Sequence, residues 1–135
     1  RPVDDIEHEM WRKLAVNCAI NALTAVHGCP NGALLETGAA GEAFAALCTE
    51  TAAVLDALGQ HVIAADLPAT AAEVARRTAA NRSSMLQDVL ARRRTEIDFI
   101  NGFLCRRADA AGIPCPLNHA LWTRVRALEP REGAA

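Results

Sequence analysis

The chain has 135 residues, 51% of them apolar and 22% charged, with a formal net charge of −2. That length supports one domain. The apolar share excludes a disordered chain, and the near-neutral charge lacks the basic footprint of a nucleic-acid binder. No stretch approaches the ~20 apolar residues of a membrane span, and none reads as a secretory signal.

The first strong element is "MWRKLAVNCAINALTAVHGCPNG", Met10 to Gly32. It reads as a long helix, apolar on most sides, stopped at Gly28 and kept from restarting by Pro30. Lys13, Asn17 and Asn21 stand four residues apart on it, so they form a slowly drifting stripe on one face. A buried amide without a partner costs about 1–3 kcal/mol, and a buried unpaired charge costs more. The stripe therefore faces either internal partners or a wet cleft. In the structural alternative the asparagines tie down neighbouring helix ends and the lysine reaches out to solvent. In the functional one a lysine and two amides converge on a small polar ligand, where desolvation suits a lysine to proton transfer.

Farther along, Phe44, Leu47, Cys48, Leu55 and Leu58 make an apolar stripe at helical spacing, with Gly59 as its stop. Gly38-Ala39-Ala40-Gly41 precedes that helix without a strand before it, a poor match to a dinucleotide phosphate loop. "HVIAA" at 61–65 hints at extended structure, with Asp66 as an N-cap candidate and Pro68 near the first turn of the next helix. Met85, Leu86, Val89 and Leu90 mark another helix, which Ser83 could cap. Arg92-Arg93-Arg94 reads as a solvated helix end. Asn101-Gly102, a hairpin signal elsewhere, lies in "EIDFINGFLCRRADAAG", where Phe99/Phe103 and Ile100/Leu104 keep a four-residue period. The spacing predicts one continuous helix there, with Gly102 permitting close packing. After a second stop at "AGIP" (111–114), Leu117, Leu121, Val125 and Leu128 form the last stripe. Together these predict six or seven helices, no sheet, and an all-α domain filling residues 1–135, with a frayed tail at "EPREGAA".

Five cysteines (Cys18, Cys29, Cys48, Cys105, Cys115) and four histidines (His8, His27, His61, His119) are dispersed, with no C-x-x-C pair. Neither a disulfide framework nor a metal ligand set is expected from that spacing. Free cysteines in apolar runs point to a reducing, cytoplasmic compartment.

"WRKLAVNCAINALTAVHGCPNGALL", "NRSSMLQDVLARRRTEIDFINGF" and "AAGIPCPLNHALW" resemble the C-terminal domain of the ketopantoate reductase (2-dehydropantoate 2-reductase) family. The resemblance runs from about Asp5 to Leu128 and is poorest in the alanine-rich middle. It implies a multi-helix bundle of the 6-phosphogluconate dehydrogenase C-terminal kind, working with an N-terminal Rossmann domain that holds NADPH. The implied activity is NADPH-dependent reduction of 2-dehydropantoate to pantoate, on the route to pantothenate and coenzyme A. Carried over by motif, Lys13 resembles the family's general acid. Asn17, Asn21, Asn31 of "PNG" and Ser84 of "SSMLQD" resemble its substrate contacts, and Glu96 of "TEID" its cofactor-side carboxylate. For Ser84 alone a capping role is as good an account, and for Glu96 alone a dipole-stabilising one is the default.

The phosphate-binding fingerprint of such an enzyme is missing, and the chain begins at Arg1, about where the family's interdomain joint lies. The expectation is a catalytic half, silent by itself, with Lys13 exposed or paired with Glu96 and a homodimer as a possible assembly. Two alternatives stand beside it: a paralogue reducing another 2-oxo acid, and a helical binding or dimerisation module without the chemistry.

Overall fold

The structure, a computed structural model, describes residues 2–131. Six α-helices follow one another: α1 (Pro2–His27), α2 (Ala39–Ala57), α3 (His61–Arg77), α4 (Ser84–Leu90), α5 (Asn101–Ala110) and α6 (Pro116–Leu128). Two short 3-10 segments, Asn31–Leu35 and Ile97–Phe99, lie between them. No strand occurs among the described residues, in keeping with the all-α expectation.

The first helix is the axis. At 1.5 Å per residue its 26 residues span about 39 Å, and α2, α3, α4 and α6 all pack on it. Its start is exposed, with Ile6 62% and Met10 66% accessible, whereas Ala15, Cys18, Ala19, Ala22 and Leu23 are buried. Small residues at these positions let neighbouring helices come close. Of the predicted stripes, Phe44, Leu47, Cys48 and Leu55 of α2 and Met85 and Leu86 of α4 are buried, Leu58 and Val89 are partly covered, and Leu90 is exposed. In α6 only Leu121 and Val125 join the core, while Leu117 and Leu128 stay exposed.

Gly28, Gly59 and Gly112 end their helices in the left-handed region. After each, the next N–H returns to a carbonyl five residues back: Cys29 to Thr24, Gln60 to Leu55 and Ile113 to Ala108.

Two local expectations are corrected. The segment 61–65 is the start of α3, not extended chain. Ile63, Ala64 and Leu67 are buried at helical spacing, and that packing outweighs the β propensity of Val62 and Ile63. Asp66 is consequently no N-cap, and Pro68 lies inside the helix. Its ring sits on the exposed face, and the helix forgoes one backbone hydrogen bond there.

The continuous helix expected through 96–110 is broken at Ile100, whose φ −111° and ψ −94° separate the 97–99 turn from α5. Side-chain bonds to α6 hold that turn: Trp122 Nε1 and Arg126 Nη1 donate to Asp98 Oδ1 at 2.8 and 3.0 Å. Asn101-Gly102 is nonetheless helical. A Cβ on Gly102 would stand 2.8 Å from Trp122 Cε2, which gives the close packing its presence predicts.

Candidate functional site

Straight helical geometry places Lys13, Asn17 and Asn21 one turn apart on α1, with Lys13 exposed and both amides half-buried. Lys13 and Asn17 line an open groove of about 640 Å³ between the first half of α1 and the second half of α3. Thr70, Val74 and Arg77 of α3 form its opposite wall. The other long cations of the groove have nearby carboxylates: Arg12 lies 3.9 Å from Glu9, and Arg77 3.6 Å from Glu73. Lys13 makes no ion pair among the described residues, and the side chains of Asn17 and Asn21 make no hydrogen bond among them. The amides therefore do not tie down neighbouring helix ends. Polar groups left half-covered and unpartnered on a groove wall are those a solvent molecule or a polar ligand satisfies.

Glu96 is exposed, does not line this groove and makes no pair with Lys13. It stands at the head of the 97–99 turn without a capping side-chain bond. Of the two arrangements expected for Lys13, the exposed one is found.

Of the two serines, Ser83 is the one that caps. Ser83 caps α4, its Oγ accepting from Leu86 N at 3.1 Å, and lies 2.7 Å from Thr24 Oγ1. Because Thr24 also donates to the Asn21 carbonyl at 3.0 Å, this contact seats the start of α4 against the turn of α1 that carries Asn21. Ser84, the first residue of α4, is exposed and free of the capping duty.

Asn31 is 8% exposed, and its Nδ2 donates to Thr78 Oγ1 at 2.9 Å, while its Oδ1 is buried without a partner. Its backbone N–H bonds to the Asn81 carbonyl, and that of Gly32 to Ala79, both at 3.0 Å. A Cβ on Gly32 would meet Ala79 Cβ at 2.6 Å, so this glycine is what lets the two loops touch. "PNG" is thus first a loop-docking motif. The unsatisfied Oδ1 is its one feature that looks toward a further donor.

Other polar residues carry no period and escape a sequence reading. Arg77 and Thr70 face Lys13 only because α3 crosses α1. Half-buried Glu50 and buried Asn101 and Asn118 form a network visible only once α2, α5 and α6 meet. Burial pushes the Cys18, Cys105 and Cys115 thiols up and Cys48 to about 11, so none is a ready thiolate nucleophile. Dispersed in sequence, Cys105, Cys115 and His119 nonetheless bring one ligand atom each within 4.8 Å of one another.

The Gly38–Gly41 segment, the N-cap and first turn of α2, is no phosphate cradle. A side chain on Gly41 would run into the Glu36 carbonyl, so its openness is used in docking its own chain. No helix of the described residues is long and apolar enough to cross a membrane.

An all-helical domain presenting a free ammonium and an unpartnered amide to a groove, with the Asn21 amide one turn beyond its lining, is the class these features define. The chain belongs to the family described as "Ketopantoate reductase PanE/ApbA C terminal", which it matches over residues 5–129. It is 49% identical over 126 residues to the 2-dehydropantoate 2-reductase of Shigella flexneri, covering 93% of this chain and 41% of that protein. The Archaeoglobus fulgidus 2-dehydropantoate 2-reductase is 39% identical, with 94% and 42% covered. Among solved structures, a PanE/ApbA family ketopantoate reductase from Ralstonia eutropha JMP134 superimposes with a TM-score of 0.76 at 35% identity, over 87% of this chain and 39% of that one. A D-mandelate dehydrogenase with NADH and anilino(oxo)acetate reaches 0.81 at 27% identity, over 93% and 41%. The chain therefore spans about two fifths of the length of these relatives.

Proposed function

We propose that this chain is the substrate-side, C-terminal domain of an NADPH-dependent 2-dehydropantoate 2-reductase of the cytoplasm, completed by an N-terminal Rossmann domain. The observation that carries the reading is the unpaired Lys13 ammonium one turn from the unpartnered Asn17 amide, on a groove whose far wall holds Arg77. The relatives named for this activity support it.

The described residues contain no strand leading through a glycine-rich turn into a helix, the unit that cradles a dinucleotide. Their contribution to it is an exposed carboxylate, Glu96, on the cofactor side. When bound, the nicotinamide supplies hydride to the 2-oxo carbon. Negative charge then grows on the carbonyl oxygen, and Lys13 stabilises it and donates the proton that completes the alcohol. Asn17 and Asn21 orient the substrate's carbonyl and hydroxyl, being neutral groups that do not compete for that proton. Asn31 and Ser84, the latter through its exposed hydroxyl, complete the substrate contacts. Closing a second domain over the groove desolvates Lys13, which this chain alone leaves exposed.

In the full-length protein Lys13→Ala lowers kcat by at least 100-fold, the usual scale of a lost general acid, while NADPH affinity stays within a few-fold. Near-normal turnover in that variant removes Lys13 from the acid role. The 135-residue chain alone is expected not to oxidise NADPH with ketopantoate; a measurable rate would overturn the two-domain assignment. D-mandelate dehydrogenase, which shares the fold, makes a paralogue acting on another 2-oxo acid the second reading. A panel of 2-oxo acids on the full-length protein separates the two.

A further inference from the structure

Two cysteines and one histidine that the groove does not use meet where α5 turns into α6. Cys105 lies in the second turn of α5, and Cys115 and His119 lie at the start of α6. The left-handed Gly112 and the bond from Ile113 N to Ala108 O at 2.8 Å reverse the chain between those helices and fold Cys115 back over Cys105. One helical turn separates Cys115 from His119, whose N–H donates to the Cys115 carbonyl at 3.1 Å. The two thiols are 0% and 2% exposed, while the imidazole is partly open to solvent. Asp109 accepts or shares a hydrogen on His119 Nε2 at 3.0 Å, and Trp122 packs beside the ring at 5.9 Å.

We propose that Cys105, Cys115 and His119 form a binding site for a thiophilic divalent cation of the zinc class. Two sulfurs and one imidazole nitrogen are the soft and borderline donors such an ion selects. The three ligand atoms lie within 4.8 Å of one another. In a tetrahedral zinc site two sulfurs stand about 3.8 Å apart, so rotamer adjustments of about 1 Å close the set. Asp109, 3.0 Å from His119 Nε2, is the kind of carboxylate that commonly orients a ligating imidazole. No fourth donor joins the group among the described residues, so the fourth position belongs to water. Each thiol gives up its proton as its sulfur bonds to the metal, and binding therefore releases two protons. The ion clips α5 to α6, outside the groove that Lys13 lines, and needs no turnover to be detected.

Titration of the reduced, metal-free chain with Co2+ tests the site directly. The expected result is a thiolate-to-cobalt charge-transfer band saturating at one equivalent, two protons released per metal, and a thiol count that falls by two. Zn2+ should displace the cobalt and raise the melting temperature. Cys115→Ser should abolish the band, and His119→Gln, at a partly exposed position that does not threaten folding, should weaken binding at least tenfold. Cys48→Ser should leave both unchanged. A folded chain that gives no band overturns the proposal, as does a band that survives in both ligand variants. Rapid loss of the Cys105 and Cys115 thiols to a disulfide that excludes the metal also overturns it, assigning the pair to redox chemistry instead.

Discussion

Asp98 accepts from Trp122 Nε1 at 2.8 Å and from Arg126 Nη1 at 3.0 Å, and those two bonds fasten the 97–99 turn to α6. The Trp122 hydrogen bond, with Arg126 beside it, holds this carboxyl below the usual carboxylate range against a smaller opposing effect of burial. A depressed folded pKa means that the contribution is present above the unfolded value, about 3.9, and is lost as pH falls through the folded one. Because the side chain is 29% exposed, screening trims the ionic part and the hydrogen bonds set the scale. Asp98→Asn should cost about 1 kcal/mol at pH 7, and the gap to the parent chain should close as pH is taken below the ordinary aspartate range. Urea midpoints for both chains at pH 7 and at acid pH measure this; a gap that persists unchanged in acid would assign the loss to shape and not to charge.

At the scale of elements, the ends of the helices decide the architecture, and most were readable. Gly28, Gly59 and Gly112 announce their stops because a residue without Cβ takes the left-handed turn at little cost. The end of α4 uses the same turn without the glycine: Arg92 has φ 58°, and Arg93 N returns to the Asp88 carbonyl at 2.8 Å. A run of three arginines read as a solvated end, which was correct in kind but silent about this strained residue. The break at Ile100 was unreadable for a different reason: its cause is the set of bonds to α6, and no local pattern encodes a partner 24 residues away. The start of α3 was misread because burial of Ile63 and Leu67, not their intrinsic preference, makes that segment helical. Lys13, Asn17 and Asn21 were legible as a stripe because period alone fixes it, whereas Arg77 and Thr70 on the facing wall depend on how α3 crosses α1. Since a left-handed non-glycine residue costs about 1–2 kcal/mol and the added freedom of the unfolded chain takes back about 0.4–1 kcal/mol, Arg92→Gly should stabilise the chain by about 0.5–1 kcal/mol. Thermal denaturation is the measurement, and a lower melting temperature would show that the arginine side chain contributes more than its backbone costs.

Across the whole molecule, one carboxylate joins the two halves of the bundle. The first turn of α6 has Pro116 at its head and no capping side chain from Cys115, so its N–H groups need an outside acceptor. Glu50 of α2 provides it: Oε1 accepts from Leu117 N at 2.9 Å, and Oε2 from Asn118 N and Nδ2, both at 2.8 Å. Asn118 then donates to Thr51 Oγ1 at 3.1 Å and accepts from Asn101 Nδ2 at 2.9 Å, and Asn101 reaches the Cys18 carbonyl at 3.2 Å. Four helices, α2, α6, α5 and α1, are linked in that order by a chain whose amides are fully buried. Hydrogen bonds to a charged acceptor contribute about 1.5–3 kcal/mol, and here the negative charge also faces the positive end of α6. Glu50→Ala should therefore cost about 2–3 kcal/mol, because it strands the Asn118 amide and two backbone donors together. Glu50→Gln keeps one good acceptor but loses the charge and should fall between the two. The ordering parent, Gln, Ala in urea midpoint checks the argument; an alanine variant as stable as the parent would mean that water caps α6 as well as Glu50 does, and that apolar packing alone aligns the α5–α6 arm with the α1 helix that carries Lys13.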